Sequence, residues 1–243
     1  MPTPRFYIPV PLAASARLAL PAAAAHHAAR VLRLQVGDAL TLFNGMGGEY
    51  AARIAAIGKH EVAVDIERYD PVERESPQIV TLVQALSSAE RMDFTIQKAV
   101  ELGVTQIVPV ESERCVLRLQ GERAAKRVQH WQQVVISACE QCGRNRIPDV
   151  RPITTLTAWL ASAGIDTQRW LLLPEADTAL RDLPRPLQPV ELLIGPEGGF
   201  TDAEIEAAQR ARYQPVRLGP RVLRTETVAP AILAAMQVLW GDF

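Results

Sequence analysis

The segment Leu192-Leu193-Ile194-Gly195-Pro196-Glu197-Gly198-Gly199-Phe200-Thr201 sets the architecture of this chain. Apolar residues of a buried-type strand run into three glycines, and Thr201 with Glu204 has the spacing of a capping box, in which hydroxyl and carboxylate each satisfy an otherwise orphan backbone donor. A strand, a glycine loop and a capped helix in succession form the repeating unit of parallel α/β sheets. Glycines there let the backbone approach a ligand closely, beside the free N–H groups of a helix start. A tight strand-to-helix turn without a ligand accounts for the same residues. If a ligand binds, it is not a pyrophosphate: Glu197 puts a negative charge inside the loop, and neither a Walker lysine nor Gly-x-Gly-x-x-Gly is present. A ligand with hydroxyls and a positive centre suits the loop better.

Moving outward, further apolar runs at Ile79–Leu86, Gln106–Val110, Trp170–Leu173, Glu191–Ile194 and Pro215–Leu218 read as strands, with helical patterns between most of them. Ser87 with Glu90 predicts a second capping box. The sheet is expected to be mainly parallel. Another loop leaves the last strand: Leu218-Gly219-Pro220-Arg221-Val222-Leu223-Arg224-Thr225-Glu226-Thr227. Alone, it reads as a solvated ion pair with a threonine cap. Two such loops at strand ends of one α/β domain point instead to a ligand site. Val228 to Trp240 then has scarcely any polar face, so that helix is expected to be buried on more than one side, in the core or against a second subunit.

The first part of the chain has a different pattern. Short strands at Ala39–Phe43, Glu49–Ile57 and Glu61–Arg68 surround a glycine cluster, a small-barrel or meander spacing. One helix, entered at Pro21, carries Ala24, Ala25, Ala28, Val31 and Leu32 and ends before Gly37. On it His26, His27, Arg30 and Arg33 form a basic stripe, read equally as ordinary surface or as RNA contact. The charged, apolar-poor segment Tyr69 to Pro77 reads as a linker, which divides the chain into domains 1–70 and 78–243.

A long helix starting near Glu122 places Val128, Trp131, Val135, Ala138 and Cys142 on one apolar stripe, so Cys142 reads as core, with Ser137, Gln141 and Arg144 on another face. Arg144, Asn145 and Arg146 at its end read as a solvated terminus or as an RNA contact. Cys139 and Cys142 form Cys-x-x-Cys without a second pair or a matching histidine pair, which argues against metal or redox chemistry.

Of the 243 residues 48% are hydrophobic and 22% charged, enough for one large domain or two ordinary ones. Three cysteines give no disulfide framework, and the apolar runs are too short and interrupted for a membrane span or signal peptide; a cytoplasmic protein is expected. The net charge of −1 supplies no global field for a polyanion, so nucleic-acid binding must come from a local patch. No Ser, His and Asp grouping, no His-Glu-x-x-His and no need for a metal is evident.

Taken together, Arg5-Phe6-Tyr7, His26-His27 with Val31-Leu32-Arg33 and Gly37-Asp38, Gln97-Lys98-Ala99-Val100-Glu101-Leu102-Gly103-Val104, Glu111-Ser112-Glu113-Arg114-Cys115, Glu140-Gln141-Cys142-Gly143-Arg144, Gly195-Pro196-Glu197-Gly198-Gly199 and Leu218 to Thr227 resemble the bacterial 16S ribosomal RNA (uracil-N3)-methyltransferases of the SPOUT class, along nearly the whole chain. The resemblance implies an N-terminal PUA-like small β-barrel for RNA binding and a C-terminal SPOUT α/β domain with a trefoil knot. It also implies S-adenosylmethionine as cofactor, a homodimer, and methylation at N3 of one uridine in 16S rRNA, presented on the small subunit. The knot comes only from the resemblance, since threaded chains are rare. One departure is Val228, where the family usually has alanine.

On that basis Leu173, Pro174, Ile194, Gly195, Glu197, Gly198, Gly199, Leu218, Gly219 and Leu223 are expected at the cofactor, and Arg5, His26, His27, Arg30, Arg33, Gln141, Arg144 and Asn145 at RNA. Arg224 is expected to bind charge developing on uracil or the adjacent phosphate, and Glu226 to accept the proton. Two rivals remain at this point. One is a non-enzymatic RNA-binding module with a dimerisation domain; the other is a nucleotide-binding oxidoreductase or kinase-like enzyme, which Glu197 and the missing phosphate-loop residues disfavour.

Overall fold

The computed structural model describes residues 3–59, 61–162 and 166–243. In chain order its elements are β1 (Arg5–Tyr7), β2 (Arg17–Ala19), α1 (Ala22–His26), β3 (Ala39–Phe43), β4 (Glu49–Ile57), β5 (Val62–Asp70), β6 (Val80–Ala85), α2 (Ala89–Glu101), β7 (Gln106–Glu111), α3 (Gly121–Cys142), β8 (Asp149–Val150), β9 (Thr154–Thr155), α4 (Leu156–Ala161), β10 (Gln168–Leu172), β11 (Val190–Ile194), α5 (Asp202–Arg210), β12 (Gln214–Val216) and α6 (Thr225–Trp240). Two compact units result: Met1–Glu75 with Cys139–Ile147, and Ser76–Ala138 with Pro148–Phe243.

In the first unit the strand order is β1-β3-β4-β5-β2, with β1 parallel to β3 and the remaining pairs antiparallel. Period-two alternation sends Leu40, Leu42, Ala52, Ile54, Val62, Val64 and Ile66 to one face, where they pack with Phe6, Ile8 and Leu20. The predicted strands Ala39–Phe43 and Glu49–Ile57 appear with those bounds. The helix entered at Pro21 differs from expectation. Only α1 is α-helical, and His27–Val31 continues as a π turn. Ala25 and Ala28 are buried, but Val31 and Leu32 are exposed, because the wider turn rotates them off the apolar stripe.

The expected linker is tied down in its first half. β5 continues to Asp70, and then Glu73 lies near Arg146, Arg74 pairs with Glu49, and Glu75 pairs with Arg144. Residues 139–147, which the sequence reading assigned to the second part, belong to the first unit for this reason.

In the second unit all the strands are parallel, in the order β12-β10-β11-β6-β7-β8, with β9 also pairing β7. Every residue of β11 is buried, as a strand covered on both faces requires. Its one acid, Glu191, accepts a 2.7 Å bond from the Tyr213 hydroxyl and lies 3.5 Å from Arg169. Burial, followed by the Glu191 charge, pushes that hydroxyl above its ordinary range. The strand order turns back at β6, so the loops after β10, β11 and β12 gather at one carboxyl edge, where open α/β sheets bind ligands.

Of the two predicted capping boxes, Thr201 and Glu204 form theirs in full. The Ser87–Glu90 box does not form: α2 starts one residue later, at Ala89 after Ser88, and the Ser87 hydroxyl is buried without a hydrogen-bond partner. α6 buries Ala229, Ile232, Leu233, Met236 and Gln237. Pro230 lies inside this helix rather than in its first turn, and with no N–H it leaves the Glu226 carbonyl without its usual donor. Among the described residues, no helix is long and apolar enough to cross a membrane.

Candidate active site

The loops after β10, β11 and β12, the first turn of α6 and Arg91 of α2 enclose a cavity of about 730 Å³ in the second unit, within the usual range for small-molecule sites, ~300–1,000 Å³. Every cofactor residue expected from the sequence, from Leu173 and Pro174 to Leu223, lines it, and so do Arg224 and Glu226. Apolar strand ends alternate on its wall with backbone of the glycine loops.

Three hydrogen bonds hold the loops in register. The Leu173 N–H donates to the Val216 carbonyl across the ends of β10 and β12 at 3.0 Å. The Thr225 hydroxyl donates to the Gly195 carbonyl at 2.6 Å while accepting from Gln84 Nε2 at 3.1 Å. The first turn of α6 is thereby pinned under the β11 loop. Gly199 has φ +68°, and a Cβ there would stand in open space, so the backbone conformation alone demands glycine. Gly198 is constrained differently: a Cβ would come within 3.1 Å of the Arg114 Cβ, and Arg114 Nη1 donates to the Gly198 and Phe200 carbonyls. Close approach at Gly198 is thus to the segment after β7, a protein contact that the sequence reading attributed to ligand.

Glu197 lines the cavity, yet its carboxylate is engaged by the protein. Its Oε1 accepts from the Ser88 N–H at 3.1 Å and from Arg91 Nη1 at 2.7 Å. Burial pushes this carboxyl up, but backbone N–H donors and the Arg91 guanidinium outweigh it and hold Glu197 below the ordinary range. Arg91 Nε also lies 3.5 Å from Glu226 Oε1, and the second oxygen of Glu226 is buried with no hydrogen-bond partner. Arg224 occupies the N-cap of α6, exposed and making no side-chain cap. Sequence reasoning missed Arg91. Its only local mark is a cation in the first turn of a helix, an unfavourable place for one unless acids surround it.

The residues expected at RNA separate into two sets. His26, His27, Arg30, Arg33 and Gln141 are exposed on the first unit. Arg5, Arg144 and Asn145 are instead turned inward. Arg144 is 4% exposed and pairs with Glu75, and Asn145, fully buried, accepts from Arg5 and donates to the Val72 carbonyl. Arg5 also pairs with Glu49 and lies over the Phe43 ring. These three fasten residues 139–147 within the unit through bonds among themselves and to Glu49, Val72 and Glu75, although Arg5 Nε is buried without a hydrogen-bond partner. Cys142 is only partly buried, whereas Cys139 is buried and its thiol is pushed up to about 12, chiefly by burial. Among the described residues no group of His, Cys, Asp or Glu could hold a metal ion.

A parallel sheet whose strand-end loops present glycine backbone, carboxylates and two exposed arginines to a cavity, without phosphate-loop residues, defines an α/β domain built to bind a small molecule. Comparison with known proteins specifies the class. A family model described as an RNA methyltransferase domain matches residues 74–237, and one described as an RNA methyltransferase PUA domain matches residues 20–67. The chain belongs to the ribosomal RNA small subunit methyltransferase E family, as a PUA-like unit followed by a SPOUT-type α/β domain.

Its similarity to the enzyme of that name from Buchnera aphidicola subsp. Schizaphis graminum is 36% identity over 98% of this chain and 97% of the relative. The crystal structure of ribosomal RNA small subunit methyltransferase E from Neisseria gonorrhoeae bound to S-adenosylmethionine is 44% identical, with a TM-score of 0.94 over 99% of both chains. A methyltransferase from Legionella pneumophila, solved in complex with the same cofactor, is 40% identical, with a TM-score of 0.96 over all of both chains. The rival readings, a non-enzymatic RNA-binding module and a nucleotide-binding enzyme, find no support in this set.

Proposed function

We propose that this chain transfers the methyl group of S-adenosylmethionine to N3 of one uridine in 16S ribosomal RNA. The observation that carries the reading is the cavity at the ends of β10, β11 and β12, in a chain whose relatives are ribosomal RNA methyltransferases. The residues fit such a cofactor. Open space stands where Cβ atoms of Gly199 and Gly219 would be, Leu172, Ile194 and Leu218 offer apolar contact, and Glu175, Glu197 and Glu226 make the wall acidic toward a ligand that carries hydroxyls and a cationic centre. When bound, the cofactor supplies an electrophilic methyl group on a positively charged sulfur.

The chain's own residues supply the rest. Uracil N3 carries a proton that must leave before its lone pair can bond to carbon. Glu226 takes that proton through its buried, unpartnered oxygen. Arg224 stays cationic and donates two parallel hydrogen bonds to the negative charge that develops on the base or the adjacent phosphate. Gly195 and Gly199, with Leu218 and Gly219, hold the cofactor, and Glu197 and Gly198 fix the loop beside it through Arg91 and Arg114.

Residues 1–70 form the RNA-binding domain in this proposal and residues 78–243 the methyltransferase domain, with the exposed stripe of His26, His27, Arg30 and Arg33 against phosphate. The chain acts as a cytoplasmic homodimer on the assembled small subunit. The exposed apolar side chains of Val238 and Leu239 on α6, 68% and 45% accessible, support the dimer. The trefoil knot belongs to the same proposal, supported by the first turn of α6 lying hydrogen-bonded beneath the β11 loop.

Methyl transfer from labelled S-adenosylmethionine to small subunits, followed by mass mapping of the rRNA, tests the reading. One methyl on the N3 of one uridine is expected, missing in a strain that lacks the gene. A methylated ribose or cytidine overturns it, and light scattering from an active monomer removes the dimer.

A further inference from the structure

Glu197 and Glu226 reach the cavity from different segments, one from the loop after β11 and the other from the first turn of α6, yet both meet the same cation. Arg91 stands in the first turn of α2. Its Nη1 lies 2.7 Å from Glu197 Oε1 and its Nε 3.5 Å from Glu226 Oε1. A guanidinium serves both, because it stays charged and its donors diverge in a fixed plane. Ser88, at the N-cap of α2, adds its N–H to the same Glu197 oxygen, so the start of α2 holds that atom with two donors.

We propose that Arg91 is a positioning residue for methyl transfer: it aligns the cofactor-side carboxylate Glu197 with the proton acceptor Glu226. The proposal rests on the reading of this cavity as a S-adenosylmethionine-dependent methyltransferase site. The other charged groups on the cavity wall are Glu175 after β10 and Arg221 and Arg224 before α6. All three are exposed, whereas the Arg91 side chain is 35% accessible and that of Glu226 19%. Arg91 is thus the cation with the least-screened hold on the acceptor.

Arg91→Gln leaves Glu197 and Glu226 without their common partner, so kcat is expected to fall roughly tenfold with the KM for rRNA little changed. Both constants and the cofactor Kd are measured for the wild type, Arg91→Gln and Arg91→Lys, with a melting curve for each. Arg91→Lys is expected to recover most of the lost rate, because it restores a cation at the same place. In a Glu226→Gln background, Arg91→Gln is expected to lose nothing further.

A wild-type protein that neither binds cofactor in calorimetry nor methylates rRNA overturns this proposal and the functional reading together. An active wild type whose kcat is unchanged in Arg91→Gln, or a further fall in the Glu226→Gln background, overturns only the role of Arg91. An equal loss in Arg91→Lys, or a collapsed melting curve in Arg91→Gln, assigns Arg91 to packing and overturns it too.

Discussion

Thr225→Val tests whether the first turn of α6 fixes the β11 loop. The substitution preserves shape and volume, so it opens no cavity, but it removes the hydroxyl that donates to the Gly195 carbonyl at 2.6 Å and accepts from Gln84 Nε2 at 3.1 Å. Thr225 is 7% exposed and Gln84 1%, so water does not readily replace either bond. Leaving a buried carbonyl without a donor costs about 1–3 kcal/mol. Gln84 Nε2 keeps its bond to the Ala85 carbonyl, so losing its second one adds only about 1 kcal/mol. A total of about 2–4 kcal/mol, at roughly 2–4 °C per kcal/mol for a chain of this size, lowers Tm by about 4–16 °C. The cofactor Kd is expected to rise as well, because the Gly195 carbonyl is no longer held. Thermal unfolding by circular dichroism and calorimetric titration read the two effects, with Thr225→Ser as the control that keeps the hydroxyl. If Thr225→Val melts within 1–2 °C of wild type and binds cofactor equally well, the pin beneath the loop does not matter and the reasoning fails.

Arg224→Ala is expected to lower kcat on ribosomal RNA by roughly two to three orders of magnitude, about 2.7–4 kcal/mol, with cofactor affinity little changed. Steady-state methyl transfer at wild-type kcat would take Arg224 off the catalytic list. Gly198→Val drives a branched side chain against Arg114, where a Cβ already stands at 3.1 Å, so it should displace the loop and weaken cofactor binding more than tenfold in calorimetry; unchanged affinity in a folded variant refutes this. Glu75→Gln neutralises the partner of the buried Arg144, and with Glu75 19% exposed the expected loss is about 2–3 kcal/mol, below the full cost of breaking a buried pair. Urea unfolding that stays at wild-type stability contradicts that role. Glu197 sits below its ordinary range, so the stability it lends through Arg91 is fully present above the unfolded value of about 4.3 and is lost as pH falls through the folded value. Stability followed from pH 7 down to about pH 3 should therefore lose its Glu197→Gln difference only at the acid end, and a difference that vanishes near neutrality disproves the assignment.

The parts of the molecule visible in the sequence are those governed by local rules. The alternation of Glu49–Ile57, the buried run of β11 and the Thr201–Glu204 capping box each depend on neighbours a few residues away, and each forms as the pattern predicts. Strands as short as β1, β2, β8 and β9 carry too few residues for a period to show. The cavity was legible because two glycine-bearing loops leave strand ends of one parallel sheet, where ligands bind, although each loop alone reads as a simple turn. Arg91 was not, since its link to Glu197 spans 106 positions and depends on how α2 leaves β6 beside the β11 loop. Arg144 and Asn145 misled for a related reason. A cation and an amide after a helix look solvated until Glu75, 69 positions earlier, closes the pair. Ser87 and Ser88 show the limit of a motif at single-residue resolution, where shifting the helix start by one places the hydroxyl in the interior.

The lock between the two ends of the second unit bears on the order of synthesis. Gln237 of α6 donates to the Leu102 carbonyl and accepts from the Ser76 hydroxyl, 135 and 161 positions away, and Gln78 reaches the Trp240 carbonyl. Contacts of such separation close late, because the intervening chain must be ordered first. A ribosome making this protein releases Ser76 and Leu102 long before Gln237 emerges, and Thr225, which pins the Gly195 loop, follows that loop by 30 positions. A nascent chain therefore leaves the apolar surface that α6 covers exposed until that helix emerges, and the cavity acquires its floor only then. Competence for chemistry is in this way tied to the synthesis of α6, and a product cut short before it carries the glycine loop without the part that holds it in place.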